Sequence, residues 1–131
     1  MDNQRQHILV INPNSDESVT EGMALELRVF HFSEGPGIGC VSLPDGPFSI
    51  ESQADIEAVT LPLRKMVSES RNIDAFVIAC YSDPGLHVCR VASEKPVFGI
   101  QECGILTAMS RGGRFGAVSY THLTLPTILL V

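Results

Sequence analysis

The sequence predicts an α/β fold of three layers, a parallel sheet with helices on both faces, and three observations predict it. Short β-branched runs recur along the chain, each ends in small or polar residues, and each is followed by a stretch whose apolar residues keep helical spacing. Strands that alternate with helices in this way pair parallel, because the crossover returns the chain to the same end of the sheet.

The first strand is His7-Ile8-Leu9-Val10-Ile11-Asn12, after which Asn14 or Ser15 caps a helix carrying Val19, Met23 and Leu27 on one face. Gly35-Pro36-Gly37 breaks the chain before a second strand over residues 38–43, which stops at Pro44-Asp45-Gly46-Pro47. Ser52 with Asp55 three residues on signals the start of a long helix. Ile56, Val59, Leu63, Met66 and Val67 keep its period to about Ser70, and Pro62 inside it is expected to kink it.

The third strand, residues 75–79, is continuously apolar, as a central strand covered on both faces should be, and it ends at Cys80. Asp83-Pro84 reads as an N-cap followed by proline at the first helical position, opening a helix that runs to about Ala92. Residues 96–100 give a fourth strand and residues 101–109 a fourth helix, stopped by Gly112-Gly113. Residues 114–119 read as the start of another strand, whereas residues 120–131 have neither strand alternation nor a helical stripe.

A chain of 131 residues holds one domain and can bury a real core. With 44% apolar and 18% charged residues the composition is that of a folded protein. The formal charge is −6 and no Lys/Arg cluster is present, which argues against nucleic acid as a partner, since that affinity comes from basic side chains displacing counterions. The polar first six residues lack the apolar core of a secretion signal, and the longest apolar run short of the tail, residues 74–80, falls far below the ~20 residues of a membrane span. A cytoplasmic location without membrane association is the expectation. Cys40, Cys80, Cys89 and Cys103 show no C-x-x-C spacing, so reduced thiols are expected.

In an open parallel sheet, ligands bind outside the carboxyl ends of the strands. Here those ends deliver Asn12-Pro13-Asn14-Ser15, Cys80-Tyr81-Ser82-Asp83 and Gly99-Ile100-Gln101-Glu102 to one edge. Cys80 precedes an expected helix N-terminus, where free backbone N–H groups favour the thiolate, the reactive form. Asn12 and the turn amides after the first strand suit a carboxylate or amide carbonyl. Each feature also has a plainer reading: free cysteine is among the most buried residue types, and Asn12-Pro13-Asn14-Ser15 alone makes a turn and helix cap.

Other constellations fall away. Cys80, His87, Cys89 and Cys103 lack the spacing of zinc ligand pairs, so no metal is expected. Ser82, Asp83 and His87 are the residue types of a hydrolase triad but crowd into one turn, without a G-x-S-x-G elbow. Gly35, Gly37 and Gly39 neither follow a strand nor open a helix, so no dinucleotide site is implied. Cys40 and Cys89 read as core residues, and Cys103 as a minor candidate near the pocket.

Taken together, residues 8–15, Gly46-Pro47 with Ile50-Glu51-Ser52, residues 74–85 (Asp74 through Cys80-Tyr81-Ser82-Asp83-Pro84-Gly85) and residues 96–102 resemble, in order, the aspartate/glutamate/hydantoin racemase superfamily, and its hydantoin racemase branch most closely. The resemblance spans residues 7 to about 119. It implies a flavodoxin-like lobe of a two-lobed enzyme that needs neither pyridoxal phosphate nor metal, with one cysteine from each lobe facing the chiral carbon of a hydantoin or amino acid derivative. One thiolate removes the α-proton and the opposing thiol returns one from the other face. Cys80 matches the first-lobe cysteine, and Asn12, Ser15, Tyr81 and Ser82 fall at substrate-contacting positions of the family.

On the same resemblance, residues 1–112 form the first lobe and residues 113–119 the first strand of a second lobe that is otherwise missing. Residues 120–131 match no family pattern and read as translated read-through from a cut gene. The expected partner is a small molecule, with homo-oligomer formation open. Two alternatives stay open: a single-cysteine decarboxylase or isomerase of the same superfamily, and a non-catalytic flavodoxin-like module that binds a small molecule. A second strand-end cysteine beyond residue 119 separates racemisation from one-thiol chemistry, and an unreactive Cys80 favours the binding module.

Overall fold

The computed structural model describes residues 5–118. Four strands, β1 (His7–Asn12), β2 (Gly37–Ser42), β3 (Ala75–Ile78) and β4 (Val97–Gly99), alternate with helices α1 (Glu17–Glu26), α2 (Gln53–Glu69), α3 (Leu86–Ala92) and α4 (Ile100–Arg111). A 3-10 turn, Leu27–Phe30, extends α1. All strand pairs are parallel, in the order β2-β1-β3-β4. The predicted α/β fold class is the observed one.

The order fixes where the helices lie. The connection from β1 to β2 steps one way along the sheet, and those from β2 through β3 to β4 step the other way. Right-handed crossovers therefore put α1 on one face and α2 with α3 on the opposite face. Register agrees: Leu9, Ile11, Val41, Phe76, Ile78 and Val97 project toward α2 and α3, where they meet Val59, Leu63, Val67, Leu86 and Cys89 in the core. The direction reverses between β1 and β3, so the crevice outside their carboxyl ends is the ligand position for this topology.

Residues of the opposite register, Ile8, Val10, Ile38, Val77 and Ala79, face α1 with Val19, Met23 and Leu27 around a largely apolar depression. Val10 is buried there, while Ile8, Val77 and Ala79 are half-buried. The continuous apolar run of β3 had implied cover on both faces. The structure gives full cover on one, because among the described residues α1 shields only the β2 and β1 side of the other.

Several element boundaries differ from expectation for local reasons. Asp16, rather than Asn14 or Ser15, caps α1, its carboxylate accepting from the Ser18 N–H. The Ser52–Asp55 capping box is present as read, and α2 continues through Pro62. Proline removes one intrahelical donor, and the carbonyl it leaves open belongs to Ala58 on the exposed side of the helix. Helix α3 starts at Leu86 behind Gly85 rather than at Pro84, because Asp83 adopts a left-handed backbone, φ 46°, and turns its carboxylate elsewhere. Helix α4 begins at Ile100, directly at the end of β4. Residues 114–118, read as a strand start, have no ladder partner among the described residues and carry no regular structure. Ser119 and the segment 120–131 lie outside the described residues.

Candidate functional site at the carboxyl edge

Four segments meet at the carboxyl edge of the sheet. The loop after β1 lies against the loop after β2: the Leu43 N–H donates to the Asn12 carbonyl at 2.9 Å and is also 3.0 Å from that of Asn14, while the Ser15 N–H donates to the Pro47 carbonyl at 2.9 Å. Gly46 permits this approach, since a Cβ there would come within 2.7 Å of the Pro13 carbonyl oxygen. The loop after β3 sits beside them, tied by the Ala79 N–H donating to the Ile11 carbonyl at 2.8 Å.

Asn12, expected at the substrate, is 1% exposed. Its amide nitrogen donates to Asn14 Oδ1 at 2.6 Å and to Thr20 Oγ1 at 3.1 Å, with the Asp16 carbonyl at 3.3 Å, and its oxygen accepts from the Asn14 N–H. Thr20 in turn shares a hydrogen bond with Ser42 Oγ at 2.5 Å. This is a buried polar pin between β1, β2 and α1, and it uses the whole side chain of Asn12. The loop amides are spent too: those of Asn14, Ser15 and Asp16 all donate within the protein. The expectation that they hold an anion is therefore not what this loop offers; the short polar side chains that make the turn take its donors. Ser15 itself is half-buried.

The loop after β3 is the opposite case. Cys80 is half-buried and its sulfur lies 3.2 Å from Ser82 Oγ. The Asp83 N–H closes a tight turn onto the Cys80 carbonyl at 3.0 Å. Tyr81 and Ser82, also half-buried, make no hydrogen bond through their backbone N–H groups among the described residues. A thiol, a hydroxyl and two open amides thus share one turn. Beside Ser82 a cleft of about 280 Å³ is lined by Asp83, Leu86, His87, Gln101, Glu102 and Ile105.

Sequence reasoning missed the bracket behind this turn. Asp83 Oδ1 accepts from the Gln101 N–H at 2.9 Å and Oδ2 from the Glu102 N–H at 2.8 Å. Arg90 donates through Nε to the Val97 carbonyl at 2.9 Å and forms a two-pronged pair with Glu102. Those hydrogen bonds hold the Glu102 carboxyl below the usual carboxylate range. The sequence had offered Asp83-Pro84 only as the cap of the helix that follows it.

Of the remaining cysteines, Cys89 is sealed in the core, and burial pushes its thiol up to about 11. Burial also raises Cys40, whereas Cys103 is exposed on α4. Among the described residues no group of three His, Cys, Asp or Glu side chains is arranged to hold a metal ion, and no helix is long and apolar enough to cross a membrane.

The family model described as Asp/Glu/Hydantoin racemase matches residues 8–128, a span that takes in most of the 120–131 segment expected from the sequence to match no family pattern. A hydantoin racemase of Rhizobium meliloti is 36% identical over 127 residues, which is 93% of this chain and 51% of that protein. One from Pseudomonas sp. (strain NS671) is 40% identical over 116 residues, 86% of this chain and 45% of the relative. Among solved structures, allantoin racemase from Klebsiella pneumoniae superposes with a TM-score of 0.77 at 31% identity, covering 84% of this chain and 45% of that one. The chain spans about half the length of the relatives it matches.

Proposed function

Because this chain belongs to the Asp/Glu/hydantoin racemase family, we propose that it forms the Cys80-bearing half of a cofactor-independent racemase acting on a hydantoin or a related amino acid derivative. The observation that carries the reading is the β3 turn, where a half-buried thiol stands at the topological switch point with a hydroxyl and open amides around it.

The Cys80 thiolate takes the α-proton, forming an S–H bond while the C–H electron pair moves into an enolate on the neighbouring carbonyl. The N–H groups of Tyr81 and Ser82 and the Ser82 hydroxyl are donors for that developing charge. A second thiol, supplied by the other lobe of the complete enzyme, protonates the carbon from the opposite face and is left as thiolate, so the proton count closes. Residues 1–112 act as the first lobe in this reading. Asn12 acts from behind, shaping the loop that walls the site, and Ser15 and Tyr81 border the substrate.

The test is deuterium uptake at the α-carbon of a 5-substituted hydantoin in D2O. Exchange that disappears in Cys80→Ser supports the base assignment, and exchange that continues at the original rate overturns it.

A further inference from the structure

We infer that Asp83 is the positioning residue of the Cys80 turn: its carboxylate staples that turn to the start of α4 and so fixes where the sulfur stands. The inference rests on Cys80 being the reacting thiol.

Asp83 closes the turn through its own N–H, then reaches with its side chain into a different element, where it accepts from the first amides of α4. Those amides lack intrahelical partners. The residue at the N-cap position of α4 is Gly99, which has no side chain to serve them. Asp83 therefore caps α4 from outside. Its φ of 46° lies in the left-handed region, which Asp and Asn enter more readily than other residues with a Cβ, and it is this turn of the backbone that lets the side chain leave its own helix.

Gly99 is the reciprocal feature. A Cβ at that position would stand closer than 3.0 Å to all three carboxyl-group atoms of Asp83. Its own φ of −105° suits any residue, so this glycine answers to the Asp83 carboxylate and not to its backbone. The acceptor end is itself braced, because Arg90 joins α3 to the Val97 carbonyl and to Glu102. From that frame the chain of contacts runs through Asp83 to the turn, and from the turn to Cys80 and Ser82.

Four variants test it. Asp83→Asn keeps one acceptor oxygen and tolerates the left-handed backbone, but turns a donor toward an N–H. Gly99→Ala evicts the carboxylate while leaving Asp83 in place. Asp83→Gly removes the carboxylate and keeps the backbone angle, and the double variant Asp83→Gly/Gly99→Ala completes a cycle. Iodoacetamide alkylation is followed at Cys80 and at the core thiol Cys89 by peptide mass. In Asp83→Asn and Gly99→Ala, Cys80 alkylation should rise about tenfold as the turn opens, with Cys89 still protected. The kcat for α-proton exchange should fall on the order of 100-fold with KM little changed, because a more accessible sulfur is no longer aimed. Gly99→Ala should add nothing in the Asp83→Gly background, since the group it displaces is gone. Wild-type alkylation rates in both single variants, or a Gly99→Ala effect of equal size with and without the carboxylate, would overturn the inference. The alkylation arms decide the staple by themselves, while exchange that survives Cys80→Ser removes the functional reading instead.

Discussion

The two faces of the sheet use the same β-branched strands and reach different ends. Toward α2 and α3, Ile11, Phe76, Ile78 and Val97 are at most 3% exposed and interlock with both helices. Toward α1, Phe98 remains 44% exposed, and Val77, its register neighbour on β3, is half-buried. What holds α1 is in part polar, the Asn12–Thr20–Ser42 pin. Strand composition therefore does not decide burial here; the direction of the crossovers does, by sending two helices to one face and one to the other.

The comparison breaks first at Phe76. Phe76→Ala should cost about 3–5 kcal/mol in urea unfolding, because the ring is fully enclosed and its loss leaves a cavity. A loss under about 1 kcal/mol would mean that the α2/α3 face is not the tightly packed one. Next comes the pin on the other face. Asn12→Ala should cost about 2 kcal/mol, since it strips Asn14 and Thr20 of a buried donor at once. Thr20→Val should lower that extra penalty in the double variant, and strict additivity would show that the two side chains do not act as a unit.

A smaller effect is read by pH at the core thiol of α3. In the fold, burial raises the Cys89 thiol to about 11, whereas an unfolded cysteine titrates near ~8.5. A folded pKa above the unfolded one gives stability that is whole below ~8.5 and is lost as pH climbs toward 11. Wild-type stability should fall by on the order of 1 kcal/mol between pH 8 and 10, and Cys89→Ala should flatten that limb. An identical alkaline slope in the variant assigns the loss elsewhere.

The strands and their parallel pairing were legible because apolar periodicity is local and the sheet rule needs nothing more. Cys80 at the strand edge followed from the same two facts. What stayed hidden depended on distant partners. Asp83-Pro84 has the sequence of a cap for its own helix, yet the carboxylate serves α4, a choice set by a left-handed φ and by the missing Cβ of Gly99. Asn12 has the chemistry of a ligand contact, but Asn14 in its own loop and Thr20 on α1 consume it, with Ser42 of β2 bonded to Thr20 behind them. Likewise Val77 and Phe76 read alike in one run of apolar letters, and only the helices that return over them make one sealed and the other half-open.

That last pair supplies the smallest effect and the sharpest contrast. Phe98 lies in register with Val77 on the α1 face, one residue along from Val97 of the core. A side chain 44% exposed has already kept much of its contact with water, so truncation removes little burial and opens no enclosed cavity. Phe98→Ala should shift the urea midpoint by no more than about 1 kcal/mol, against several for Phe76→Ala in the neighbouring strand. If the two substitutions cost the same, Phe98 is packed against something that residues 5–118 do not supply, and the asymmetry between the faces belongs to this part of the chain alone.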